Sequence, residues 1–93
     1  MIIEEVCKFY NLEPSLLRGQ GRSKDISLAR QIAMFQIRRM TNLSLKEIGA
    51  EFGGRDHSTV LNALNRIEDL VKTDPEKAEI IKDITTNINS RYE

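Results

Sequence analysis

Apolar positions recur at three- and four-residue steps along almost the whole chain, the spacing that puts side chains on one face of an α-helix. Ile3, Val6 and Tyr10, with Ile2 and Phe9 alongside, predict an amphipathic helix over the first ten residues. Asn11 to Pro14 interrupt it. Proline suits a first helical position, so Ser15, Leu16 and Leu17 are expected to form one short turn before Gly19-Gln20-Gly21 opens the backbone. The clearest stripe follows: Ala29, Ile32, Ala33, Ile37 and Met40 predict a helix over about residues 26–41, with Arg30, Arg38 and Arg39 off the stripe. Asn42, which tolerates left-handed backbone, is expected to end it.

Ser44 with Glu47 three residues later has the spacing of a capping box, in which each side chain satisfies the other's backbone N–H. The helix that starts there, with Leu45, Ile48 and Phe52 on its apolar side, must stop at Gly53-Gly54. Asp56 then stands as N-cap to a long helix whose stripe is Val60, Leu64, Ile67 and Val71. Asp74-Pro75 opens the last helix, with Ile81, Ile84, Ile88 and Tyr92 as its buried face. No alternating strand pattern or repeat is present. The expectation is one all-α domain over residues 1–93, a small helical bundle of about five helices plus a short turn. Within it a helix-turn-helix occupies about 44–72 and a covering helix about 74–92.

Composition narrows the function. A hydrophobic fraction of 40% with 30% charged residues is that of an ordinary globular chain. The longest apolar run, Ile32 to Phe35, is far shorter than the roughly 20 residues that cross a bilayer. With no basic, apolar leader at the start, the expectation is a cytoplasmic protein with no membrane partner. One cysteine, Cys7, and one histidine, His57, fall short of the ligands a zinc site needs. A Cys7–His57 nucleophile pair would require the fold to bring them together, and Gly19-Gln20-Gly21 lacks the strand and lysine of a phosphate loop. No enzyme, metal, cofactor or small-molecule substrate is therefore expected.

The formal net charge is zero, which at first weighs against a nucleic-acid partner. It conceals a pattern. Residues 1–17 carry net −2, residues 18–66 net +5 and residues 67–93 net −3. The basic stretch holds the expected helix-turn-helix, in which the second helix enters the major groove and its first residues meet base edges. That helix is led by Arg55, Asp56, His57, Ser58 and Thr59, all able to hydrogen-bond to bases or phosphates. Asp56 can cap the helix and accept from a base together. A small helical protein-interaction module is the alternative that the same pattern allows.

Three runs carry a family resemblance: Ala29-Arg30-Gln31-Ile32-Ala33-Met34, Thr41-Asn42-Leu43-Ser44-Leu45-Lys46-Glu47-Ile48-Gly49, and Phe52-Gly53-Gly54-Arg55-Asp56-His57-Ser58-Thr59-Val60-Leu61. Over about residues 10–70 the chain resembles the C-terminal DNA-binding domain of the DnaA family, the bacterial chromosomal replication initiators. The resemblance implies a monomeric module that recognises DnaA boxes in double-stranded DNA at replication origins, serving initiation and its regulation. It implies base contacts from Arg22 in the minor groove and from Asp56, His57, Ser58 and Thr59 in the major groove. Phosphate contacts would come from Arg30, Gln31, Leu45, Lys46, Arg55 and Arg66. Ser58 departs from the family's frequent threonine and lacks its methyl. The family's ATPase domain has no counterpart in this sequence, so ATP hydrolysis and oligomerisation are not expected of it.

Overall fold

The computed structural model describes residues 2–19, 21 and 23–92. Among them the chain is all-α, in the order α1 (Ile2–Tyr10), α2 (Pro14–Arg18), α3 (Lys24–Met40), α4 (Leu45–Glu51), α5 (His57–Thr73) and α6 (Pro75–Tyr92). The helix α1 ends in a Schellman motif built on asparagine: Asn11 has φ 56°, and Leu12 N–H donates to the Cys7 carbonyl at 2.9 Å. Pro14 sits in the first turn of α2, as its fixed φ favours.

The third helix is the hub. Ala29, Ile32, Ala33 and Ile37 are buried as the stripe requires, and Arg30, Met34 and Gln36 are buried beside them. It packs against α1, α2, α4 and α5, while α6 closes over α1 and α5. Gln36 makes the polar joint to α6, donating from Nε2 to the Ile81 carbonyl at 3.1 Å and to Thr85 Oγ1 at 2.8 Å. The helix begins earlier than expected because Ser23 caps it, its Oγ accepting from Ile26 N–H at 3.2 Å. Asn42 does not end it in left-handed backbone; among the described residues Asn11 is the one non-glycine with positive φ. The chain instead leaves through extended Thr41, whose N–H and Oγ1 both donate to the Ile37 carbonyl.

Other faces shift slightly from the expected stripes. Phe9 is 45% exposed and Val71 39%, while Ala63 takes the buried place between Val60 and Ile67 and Leu64 is half-buried. Ile81, Ile84 and Ile88 are buried as expected.

The turn between α4 and α5 is the tightest feature. The Gly49 carbonyl accepts from Phe52, Gly54 and Arg55 N–H at 3.1, 3.1 and 3.0 Å. Gly53 and Gly54 have φ of 82° and 80°, which glycine alone adopts readily. A Cβ on Gly49 would lie 1.9 Å from the Arg55 carbonyl oxygen, so α4 meets the turn where only glycine fits. Gly49→Ala is expected to lower stability by at least about 2 kcal/mol, because the obstacle is backbone and cannot swing aside. Urea unfolding checks this; a midpoint equal to that of the unmutated chain contradicts it.

Candidate nucleic-acid interface

The first turn of α5 projects from the turn just described. Asp56 is its N-cap, with Oδ1 accepting from Thr59 N–H at 2.9 Å. Hydrogen bonds from Thr59, backbone first, hold the Asp56 carboxyl below the usual carboxylate range, and His57 adds to the effect. The group is therefore an ionised acceptor at neutral pH. Its two oxygens offer about four lone-pair sites, so capping does not exhaust it. His57, Ser58 and Thr59 are all exposed.

The fourth helix starts beside it with the full capping box: Ser44 Oγ accepts from Glu47 N–H at 3.1 Å and Glu47 Oε1 from Ser44 N–H at 3.0 Å. Leu45 is half-buried against the core, and Lys46 is exposed. Two clefts flank the start of α5. One, of about 460 Å³, is lined by Lys46, Arg55, Asp56 and His57. The other, of about 270 Å³ between α3 and α5, is lined by Arg30, Gln31, Arg55, Thr59, Asn62 and Arg66. The fold thus gathers residues that lie far apart in the sequence around one helix end, with cationic side chains on both sides. Leu45 lines neither cleft, and Arg22 lies outside the described residues. Asn62 escaped the sequence reading, although it stands three residues after Thr59, one turn along the same face.

Two of the expected phosphate ligands also bond to main-chain carbonyls. Arg30 is only 8% exposed. Its Nε donates to the Leu17 carbonyl at 2.8 Å, and its Nη2 to Gly21 at 3.0 Å and to Leu16 and Gly19 at 3.3 Å. Burial lowers its proton affinity, and the nearby Arg55 lowers it further. Arg55 donates from Nη2 to the Gly19 carbonyl at 2.7 Å and from Nη1 to the Phe52 carbonyl. Gln31, between α3 and the cleft, has a buried Oε1 without a hydrogen-bond partner. Cys7 lies in the core, where burial pushes its thiol up, whereas His57 is at the surface. Among the described residues no three His, Cys, Asp or Glu side chains come together as metal ligands would.

Residues 1–67 match the family described as bacterial dnaA protein helix-turn-helix. The chain is 44% identical over 90 residues to the chromosomal replication initiator protein DnaA of Methylacidiphilum infernorum, covering 97% of this chain and 20% of that protein. It is 44% identical over 89 residues to the protein of the same name from Enterococcus faecalis, covering 96% and 20%. With that of Thermus thermophilus it shares 43% over 81 residues, covering 87% and 19%. The chain spans about a fifth of the length of these relatives.

The depressed acidity of Asp56 has a pH consequence. A carboxyl whose folded pKa lies below its unfolded value stabilises the fold above the unfolded value, about 4, and that contribution is lost as pH falls through the folded one. Asn is also a good N-cap but does not titrate. Asp56→Asn is expected to match the unmutated midpoint at neutral pH and to fall less between about pH 5 and pH 2, whereas Asp56→Ala is less stable already at neutral pH. Urea unfolding across that range checks it; parallel pH profiles for Asp56→Asn and the unmutated chain contradict it.

Proposed function

The chain belongs to the bacterial DnaA helix-turn-helix family, and on that basis we propose that it binds double-stranded DNA at DnaA-box sites and serves the initiation and regulation of chromosomal replication. The observation that carries the proposal is the exposed start of α5, where Asp56, His57, Ser58 and Thr59 stand together between two clefts with cationic walls. In this reading α5 enters the major groove by its N-terminal end. Asp56 accepts from a cytosine amino group, His57 donates or packs on a thymine methyl, and Ser58 and Thr59 bond to either partner. Ser58 lacks the methyl of a threonine, which relaxes discrimination at its base by part of the roughly 1–3 kcal/mol a good contact carries.

Lys46, which lines one cleft, and Arg66, which lines the other from α5 itself, are proposed as phosphate ligands together with Arg30 and Arg55, with Gln31 and the Leu45 backbone N–H as neutral donors. Arg22 follows Gly21 and is proposed for the minor groove, whose negative potential in A·T-rich DNA suits arginine. The domain acts as a monomer without cofactor or catalytic step, in the cytoplasm, where bacterial DNA lies. No helix among the described residues is long and apolar enough to cross a membrane. The family favours DNA over the protein-docking alternative.

Fluorescence anisotropy with a DnaA-box duplex and a scrambled one tests this. If about four phosphates are neutralised, log K should fall against log salt with a slope of about −4. His57→Ala should reduce the box-to-scramble affinity ratio by about tenfold, whereas Lys46→Ala should weaken both duplexes alike and shrink the slope by about 0.9. Equal affinity of the unmutated chain for the two duplexes sinks the proposal.

A further inference from the structure

A further cleft, of about 340 Å³, continues the one between α3 and α5. The two share Ser27, Gln31 and Arg66 in their walls, so they form one trough that runs between α3 and α5 and ends against the start of α6. From Thr59 to Leu70 the trough follows α5 for about 16–17 Å, at 1.5 Å per residue. Among the described residues the outer cleft carries three cations, Lys24, Arg66 and Lys77, against one acid, Asp74, a net charge of +2. Asp74 is engaged as a cap, with Oδ1 accepting from Lys77 N–H at 3.2 Å. Glu68 and Asp69, although on α5, line neither cleft.

Lys77 is the unexpected member of this wall. It stands four residues before Ile81, at the head of the buried row Ile81, Ile84 and Ile88, where the helical period calls for an apolar side chain. The lysine is half-buried there. Leu28 and Leu70 in the same cleft suit its aliphatic stem, and its ammonium keeps to the mouth, where water reaches it. A cation so placed gives up part of its hydration, and an anion at the mouth offsets that loss. Lys24, exposed in the first turn of α3, lines the same cleft from the other side.

We propose that the trough seats the sugar-phosphate backbone of duplex DNA, and that Lys24 and Lys77 bind phosphates beyond those reached from α5. The C-terminal helix α6 is then part of the DNA-binding surface as well as the cover of the core. The cationic wall is continuous, with Arg30 and Arg55 in the inner cleft, Arg66 in both and the two lysines in the outer one. A duplex strand carries one charge per 3.4 Å of axis, so it matches a row of cations of this length, whereas a single small anion would occupy only one part of it. The proposal takes its partner from the DNA reading above and rests on it.

Anisotropy titrations at several salt concentrations test it. The four cations already proposed as phosphate ligands account for a slope of about −4, and each lysine adds about 0.9. Lys77→Gln should shrink the slope by about 0.9 and weaken box and scrambled duplexes alike, about fivefold at about 0.15 M salt, and Lys77→Arg should restore both. Lys82→Gln is the control. It removes the same charge from an exposed position of α6 outside the trough, and should leave slope and affinity unchanged. A slope unchanged in Lys77→Gln overturns the proposal, and so does an equal reduction in Lys82→Gln, because the effect is then one of net charge. Should Lys77→Gln fail to fold, Lys24→Gln replaces it with the same outcomes. The slope is read on either duplex, so a chain that binds DNA without preferring the box overturns the box reading and still tests the trough, while a chain that binds no duplex overturns both. In amide NMR spectra the Lys77 signal should move when duplex is added. Movement with inorganic phosphate and not with duplex makes the cleft a small-anion site and overturns the proposal.

Discussion

The Gly49 carbonyl accepts from three backbone N–H groups, and the direction of α5 follows from that one acceptor. Because Phe52, Gly54 and Arg55 all turn back onto it, the chain reverses within a few residues, and Asp56 emerges in extended backbone ready to cap. The reversal needs three glycines for two different reasons. Gly53 and Gly54 supply positive φ, whereas Gly49 supplies empty space against the Arg55 carbonyl. Phe52, fully buried at the end of α4, pins the inner side of the turn to the core. A reading helix is only as well aimed as the turn that precedes it. Here the aim is fixed by backbone contacts, which have fewer ways to relax than side-chain contacts have.

Much of the fold is legible in the sequence because its signals are local. The capping box at Ser44, the cap at Asp56 and the proline starts at Pro14 and Pro75 each involve residues within one turn, and each appears where the spacing puts it. The end of α3 departs from expectation for the same reason. Asn42 has the right local tendency, but Thr41 offers two donors to the Ile37 carbonyl and closes the helix without left-handed backbone. Of the candidate site, Asp56 to Thr59 are legible because consecutive residues at a helix start share its exposed end. Gly49 carries no such signal, since its neighbour, the Arg55 carbonyl, lies beyond a turn whose path no periodicity gives.

The arginines show where such reading stops. A guanidinium presents the same five donors to a phosphate oxygen and to a peptide carbonyl, so residue type and a basic neighbourhood do not tell which carbonyls it also holds. That depends on which carbonyls converge on the side chain from another part of the chain, as Leu17 and Gly21 do on Arg30 and Gly19 does on Arg55. An amphipathic stripe gives a weak warning: Arg30 sits next to Ala29 on the hub helix, where a solvated charge has little room. The buried polar joint at Gln36 is the same lesson at the other end of α3, with Nε2 paired to α6 and Oε1 buried unpaired.

The zero net charge does not oppose docking, and the geometry of α5 gives the reason. Its 17 residues run from His57 to Thr73, and at about 1.5 Å per residue the acidic side chains Glu68 and Asp69 stand roughly 17–18 Å along the axis from the reading end. The Debye length at physiological salt is about 8 Å, so their repulsion of a phosphate at that end is screened by more than two lengths. Lys46 and Arg55 line the cleft that holds Asp56 and His57, and Arg66 stands nearer to that end than either acid. An approaching polyanion therefore meets attraction at one end of α5 and, were it to approach from the other, Glu68, Asp69 and Asp74. The same acids that cancel the formal charge give the field a direction, and direction is what a single reading helix needs when the total attraction is modest.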